Sequence, residues 1–294
     1  MSREEATAAA EEAPGHPAGN LPDDADDLRG FYFRLLLGRP LTWIAIGLFA
    51  VAAGVAGSLL VSPAIGAAGA AAALLVGLLV VFGIADSRSE DAFFQVYAEQ
   101  RGLIAHGKGR LPPATPLLRK GDDRYAERAL EGPLGEGIEG TLALYTYEEE
   151  STDSKGNRQT SYYRYTIGLA ELPECAGFVP ELYCQRKFGL RALEGLEDAF
   201  RRSKQRLELE SEALDERYEI FAGEGQDANR LRQLFSPTFI VWLAELAPEK
   251  FAFELVDGNL CCYVNGHKQE AAELDAVGAA TATVATRLRE ESAE

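Results

Sequence analysis

Residues 41–84 read LTWIAIGLFAVAAGVAGSLLVSPAIGAAGAAAALLVGLLVVFGI, without one charged side chain, and Ser62-Pro63 falls at their middle. A helix rises about 1.5 Å per residue, so 41–62 and 64–84 each reach roughly 30 Å, the thickness of the hydrocarbon core of a bilayer. The stretch therefore reads as two spans joined by a very tight turn. Pro40 and Pro63 both stand where a proline suits the first turn of a helix, because the N–H it lacks has no partner there in any case. A secretory leader has an apolar region of only about 7 to 15 residues close to the start of the chain. This run is too long and begins too late, and the expectation is a two-helix transmembrane hairpin over 41–84.

Orientation follows from the flanks. Arg29, Arg34 and Arg39 precede the first span, Arg88 and Arg101 follow the second, and the connecting turn carries no charge. Basic residues stay on the cytoplasmic side, which predicts a two-span protein of the cell membrane with both termini in the cytoplasm. Gly47, Ala50, Gly54 and Gly57 line one face of the first span, and Gly66, Ala70, Ala73 and Gly77 one face of the second. Stripes of small residues let helix backbones approach closely. They predict packing inside the hairpin, with a self-association face and a homo-oligomer as the alternative. The spans hold no ionisable residue, so no proton relay or ion path is expected through them.

Away from the hairpin the composition changes. Residues 1–27 combine Ala, Gly, Pro and many acids with Arg3 alone, the signature of a disordered acidic tail. Residues 28–40 set Phe31, Tyr32, Phe33 and Leu35–Leu37 beside Arg34 and Arg39, as in an interfacial segment lying along lipid headgroups. An apolar helical pattern continues over 85–106 as a juxtamembrane helix, and the Gly-, Lys- and Pro-containing stretch 107–116 reads as a linker. Residues 117–294 then form one soluble α+β domain with a mainly antiparallel sheet and packed helices. Strands are predicted at 139–149, 160–170, 206–211, 216–222, 250–256 and 260–266, with hairpin tips at Lys155-Gly156-Asn157 and Asp257-Gly258-Asn259. Helices are predicted at 226–235, at Ser236 onward with Ser236 as N-cap and Pro237 in the first turn, and at 270–290. Leu274, Val277, Thr281, Val284 and Leu288 give the last helix its apolar stripe. Burial against its own sheet is the expected use of that stripe, and pairing with another subunit the alternative.

The formal net charge is −17, and no basic stripe appears, so nucleic acid is not an expected partner. The expected partners are the lipid bilayer and a protein. Cys175, Cys184, Cys261 and Cys262 lack the CxxC spacing of a zinc or redox site and read as free, buried thiols. A Cys175–Cys184 disulfide is the alternative and requires an oxidising compartment. GEGIEG at 135–140 has the letters of a dinucleotide fingerprint, yet Glu136 and Glu139 would repel phosphate and the following TLALYTY is strand-like. His16, His106 and His267 show no metal or general-base spacing, and each reads as a surface histidine. Ser236, His267 and Asp227 lack a nucleophile elbow, and Ser236 already serves as a cap. No catalytic residue, metal ligand or cofactor is therefore expected. Tyr145 and Tyr147 on one strand and Tyr163 and Tyr165 on the next predict cross-strand aromatic pairs, and an exposed face of such rings would suit a protein partner.

Residues 208–246, ELESEALDERYEIFAGEGQDANRLRQLFSPTFIVWLAEL, carry a resemblance through Glu210, Tyr218, Ile220, Asp227 and Leu234–Phe239. They resemble a family of bacterial two-transmembrane-helix proteins with a cytoplasmic domain of unknown function. In that family an acid-and-aromatic strand leads to a helix, a Thr/Ser-Pro break and a second helix, and LFSPTF fits that order. The resemblance covers about a third of the soluble part and supplies no catalytic residue. Together these readings describe a non-enzymatic, membrane-tethered interaction or scaffold module. The alternatives are an accessory subunit of a membrane transport or envelope complex and an enzyme whose site the sequence does not announce.

Overall fold

A computed structural model of the protein describes residues 32–152, 156–187, 204–209 and 211–293. The acidic tail 1–27, the start of the interfacial segment with Arg29, the hairpin-tip Lys155 and Glu210 lie outside the described residues. The chain divides into two compact units, the first ending at Glu90 and the second beginning at Asp91.

In the first unit residues 32–37 make a short helical turn, followed by α1 (Pro40–Leu60) and α2 (Pro63–Arg101). The boundary between the units falls inside α2. Both helices are long and apolar enough to cross a membrane. Leu59 and Leu60 are 81% and 82% exposed, so the described residues leave this apolar surface uncovered. Only Val61 and Ser62 separate the helices, and both donate their N–H to the Gly57 carbonyl. The small residues meet inside the hairpin: a Cβ on Gly54 would lie 3.2 Å from that of Ala70, and one on Gly57 only 3.0 Å from Gly66 Cα. Ala50 and Ala73 are buried, and Gly77 faces Ile46. Gly47 departs from the expected stripe, with nothing near the position its Cβ would take. The turn at 32–37 folds back on both helices instead of lying free, with Leu36 packed among Ile46, Val81 and Ala85. The Trp43 indole N–H donates to the Leu37 carbonyl at 2.8 Å.

Gly66 is the tightest of these contacts, since a Cβ there would stand 1.8 Å from Ser58 Oγ and 2.5 Å from the Gly54 carbonyl. A protein carrying Gly54→Cys and Ala70→Cys is expected to cross-link within the hairpin under mild oxidation. Adding Gly66→Leu should suppress that cross-link severalfold; an unchanged yield would show that the helices do not pack through this stripe.

The second unit is built on a nine-stranded sheet ordered β1-β2-β3-β4-β9-β8-β5-β7-β6, and every paired neighbour runs antiparallel. The strands are β1 (Ile104–His106), β2 (Asp123–Gly135), β3 (Ile138–Thr152), β4 (Arg158–Glu171), β5 (Glu181–Arg186), β6 (Lys204–Leu207), β7 (Tyr218–Gly223), β8 (Ala252–Val256) and β9 (Asn259–Asn265). The predicted α+β class stands. The β8–β9 turn is where it was expected, with Asp257 and Gly258 both at positive φ, the conformation a two-residue hairpin requires. GEGIEG is likewise a hairpin, its turn residues Glu136 and Gly137 at positive φ. β2 was not anticipated. Its Pro133 and its charged residues mask the alternation, and register shifts at Ala126/Arg128 and Pro133/Gly135 break the period of two.

Helices accompany the sheet along the second unit. α3 (Pro116–Arg119) precedes β2, and α4 (Glu212–Asp215), α5 (Ala228–Leu234), α6 (Pro237–Val241) and α7 (Ala271–Ala293) follow β6. Ser236 caps α6 as predicted, accepting the Phe239 N–H at 3.4 Å, and Asp227 caps α5 by accepting the Asn229 N–H at 2.8 Å. A π-helical turn, Trp242–Leu246, continues α6 until Pro248. α7 packs on β2, β3, β4 and β9, with Leu274, Val277, Thr281, Val284 and Leu288 all buried, so its stripe is spent on its own sheet. At its start Asp275 holds the Arg101 guanidinium through both oxygens and accepts the Tyr97 O–H at 2.8 Å.

Two boundaries need correction. The juxtamembrane helix expected at 85–106 ends at Arg101, and residues 104–106 are strand. The stretch 107–116 is not a free linker. It pairs with the sheet at Gly109↔Ala126 and lays Leu111, with Leu117 and Leu118 beyond it, on the face opposite α7. Each apolar side chain fully buried in this way contributes about 1.5–3 kcal/mol, which offsets part of the entropy lost in ordering the segment.

Candidate functional site

The tyrosines expected at an interaction face are core residues. Tyr145 pairs with Tyr165 and Tyr147 with Tyr163 across β3 and β4, so the predicted cross-strand pairs are present. Tyr147 stacks on Tyr163 at 4.8 Å between ring centroids, and Tyr165 meets Tyr263 edge-on. Tyr145, Tyr147 and Tyr165 are buried and Tyr163 is half-buried, because residues 107–119 lie over them. The alternation in β3 placed these rings on one face correctly. It held no information on which segment would cover them.

That covering segment leaves a cavity of about 460 Å³ between itself and the sheet, at the ends of β2, β3, β4 and β9. Leu111, Pro112, Ala114 and Leu118 form the covering wall, and Leu169 the apolar part of the floor. Such a volume is in the range of small-molecule sites. Gly137 and Gly140 of the GEGIEG hairpin also line it, and a Cβ on Gly140 would come within 2.2 Å of the Leu169 carbonyl. Glycine there keeps β3 and β4 at normal spacing.

Polar groups gather at two depths. At the rim stand Glu131, Glu139 and Glu171, all exposed. Glu131 lies 3.2 Å from His106 Nε2, whereas Glu139 and Glu171 make no ion pair among the described residues. The one arginine of the lining, Arg289, is already held by Glu174 Oε1 at 2.6 Å. At the back wall Thr115 is 1% exposed, and its hydroxyl stands beside the Glu254 carboxyl and the Cys261 thiol without closing a well-formed hydrogen bond to either.

Glu254 sits on β8 in the middle of the sheet and is 0% exposed. Its Oε1 accepts the Leu117 N–H at 2.8 Å, and its Oε2 has no partner. Burial pushes the carboxyl up to about 7, against the opposing pull of the Thr115 hydroxyl, the Leu117 N–H and Arg119. Tyr145 donates its O–H to the Leu117 carbonyl at 3.3 Å. One turn of backbone is thus pinned from both sides by side chains of the sheet.

His267, expected at the surface, is half-buried and bonded. Its Nε2 lies 3.2 Å from Thr146 Oγ1 and 3.2 Å from the Tyr145 carbonyl, and Thr146 Oγ1 donates to Glu127 Oε1 at 3.1 Å. The β2 irregularity between Ala126 and Arg128 brings Glu127 to this point. Burial holds the imidazole below its usual range, although the Tyr145 carbonyl and Glu127 pull the other way. Thr146 is 0% exposed, so its hydroxyl cannot reach a substrate, and the trio ties β2, β3 and the β9–α7 turn together. All four cysteines are free and buried. No group of metal-binding side chains occurs among the described residues. No family model, curated protein or solved structure matches the chain.

Proposed function

We propose that this chain is a membrane-tethered binding module, related to the bacterial two-span proteins that residues 208–246 resemble, with both termini in the cytoplasm and no catalytic chemistry of its own. The observation that carries this reading is a two-helix hairpin whose apolar residues stay exposed, in one chain with a sheet domain that keeps a cavity of mixed polar and apolar lining under a carboxylate rim. Lipid covers the hairpin, and tethering raises the concentration of the domain at the membrane surface. The tyrosine face and the α7 stripe are both consumed by the core, which leaves the cavity as the place of engagement. Arg34, Arg39 and Arg88 flank the spans and support the orientation.

Topology is the test. Val61 and Glu136 are exposed, and the native cysteines are buried enough to stay silent. Val61→Cys is expected to react with a membrane-impermeant thiol reagent in intact cells, and Glu136→Cys only after the membranes are opened. The reverse pattern would place the domain outside the cytoplasm. Extraction of the protein from membranes by alkaline carbonate would overturn the tether itself.

A further inference from the structure

The geometry points to a ligand class for the cavity: a small amphipathic molecule with an apolar body and a primary ammonium group. This rests on reading the cavity as the binding site. The body would lie between Leu111, Ala114 and Leu118 on one side and Leu169 on the other. At the rim the charge is one-sided. Arg289 is neutralised by Glu174, while Glu139 and Glu171 have no cationic partner among the described residues. A carboxylate ligand would meet two like charges there, and a neutral one would leave both solvated but unused. An ammonium group at the rim would face both carboxylates and could make charge-assisted contacts with them.

The depth of the cavity gives a second, independent sign. Thr115 lines it and is 1% exposed, and its hydroxyl, loosely placed beside Glu254 and Cys261, closes no well-formed hydrogen bond. Buried hydroxyls are normally satisfied, so an unpartnered one lining a cavity marks where a guest or a water completes the structure. A polar atom at the inner end of the ligand, such as an ether or hydroxyl oxygen, would accept the Thr115 O–H. The expected guest is thus charged at the outer end, apolar in the middle and weakly polar at the inner end.

The test uses the full chain in phosphatidylcholine nanodiscs, with empty nanodiscs subtracted, and calorimetric titration at pH 7.5 of three probes of equal length: n-hexylamine, n-hexanol and hexanoate. Hexylamine is expected to bind at least about tenfold more tightly than hexanoate, by the size of charge-assisted contacts, and about fourfold more tightly than n-pentylamine, one methylene shorter. Glu139→Gln with Glu171→Gln should remove the preference for the amine and leave hexanol unchanged. Ala114→Phe, which fills the cavity from the covering segment, should abolish binding of every probe, with Leu169→Phe as a second filling variant from the floor. Binding of all three probes alike, lost on filling, would overturn the ammonium assignment and keep the cavity as a site. Hexylamine binding untouched by either filling variant, or no binding of any probe, would overturn the cavity as a site.

Discussion

Glu254→Gln is expected to be more stable than the wild type at pH 8 and nearly equal to it at pH 4. Glu254 is fully buried, with its carboxyl raised from 4.5 to about 7 by desolvation. A group that holds its proton more tightly in the fold than in the unfolded chain supports folding below the unfolded value, here 4.5, and that support is lost as the pH climbs to about 7. Above pH 7 the wild type carries a buried carboxylate with one oxygen unpartnered, at a cost of about 3 kcal/mol relative to the neutral acid. Glutamine keeps an oxygen for the Leu117 N–H and never ionises. The free energy of urea unfolding, measured for both proteins from pH 4 to pH 8, should give a difference that grows by about 3 kcal/mol in favour of the variant. The difference curve is needed because His267 has the opposite sign. Its lowered folded value adds stability above its usual 6.5, which is lost as the pH falls through the folded value. A difference curve that stays flat between pH 4.5 and 7 would show that Glu254 ionises freely in the fold.

Gly168→Ala should be among the most damaging single methyl additions in the domain. Gly168 faces α7 from near the C-terminal end of β4, and a Cβ there would stand 2.0 Å from Thr281 Oγ1 and 3.0 Å from Thr281 Cβ. Thr281 cannot turn away, since it is fully buried, stiff at χ1 and bonded to the Val277 carbonyl at 2.8 Å. Either α7 lifts from the sheet or β4 bends, and overpacking of this kind costs about 1–3 kcal/mol. Thr281→Ala alone should lose about 1 kcal/mol through the missing hydrogen bond and methyl group. The two together are expected to lose less than the sum of the singles, by about 1 kcal/mol or more. Strict additivity in thermal or urea unfolding would show that the helix is not seated on Gly168.

Much of the architecture was readable from residue order. The uncharged run with proline at each helix start located α1 and α2, Ser236-Pro237 located α6, and the period of Leu274 to Leu288 located α7 and its buried face. What could not be read depended on distant partners. β2 hides its alternation behind two register shifts, and ELYCQR in β5 is too short to declare itself. The segment 107–119 has the composition of a linker, and only the acceptor that Glu254 offers from β8, far along the chain, makes it a lid on the tyrosines. The cavity was illegible for the same reason. Its wall, floor and rim come from five separate stretches, and no spacing rule links Thr115 to Leu169 or Glu171.

The order of the sheet carries a consequence for synthesis. β1 to β4 form a continuous meander in chain order, but the neighbour that closes β4 is β9, paired from Tyr165↔Asn265 to Glu171↔Asn259. While the ribosome is still translating the residues between Glu171 and Asn259, β4 shows an open row of backbone donors and acceptors beside apolar side chains, the kind of edge that recruits a neighbouring chain. Several such edges on one polysome sit close together, because neighbouring nascent chains share one message. The quality of the final product then depends on how quickly β9 arrives to cover that edge.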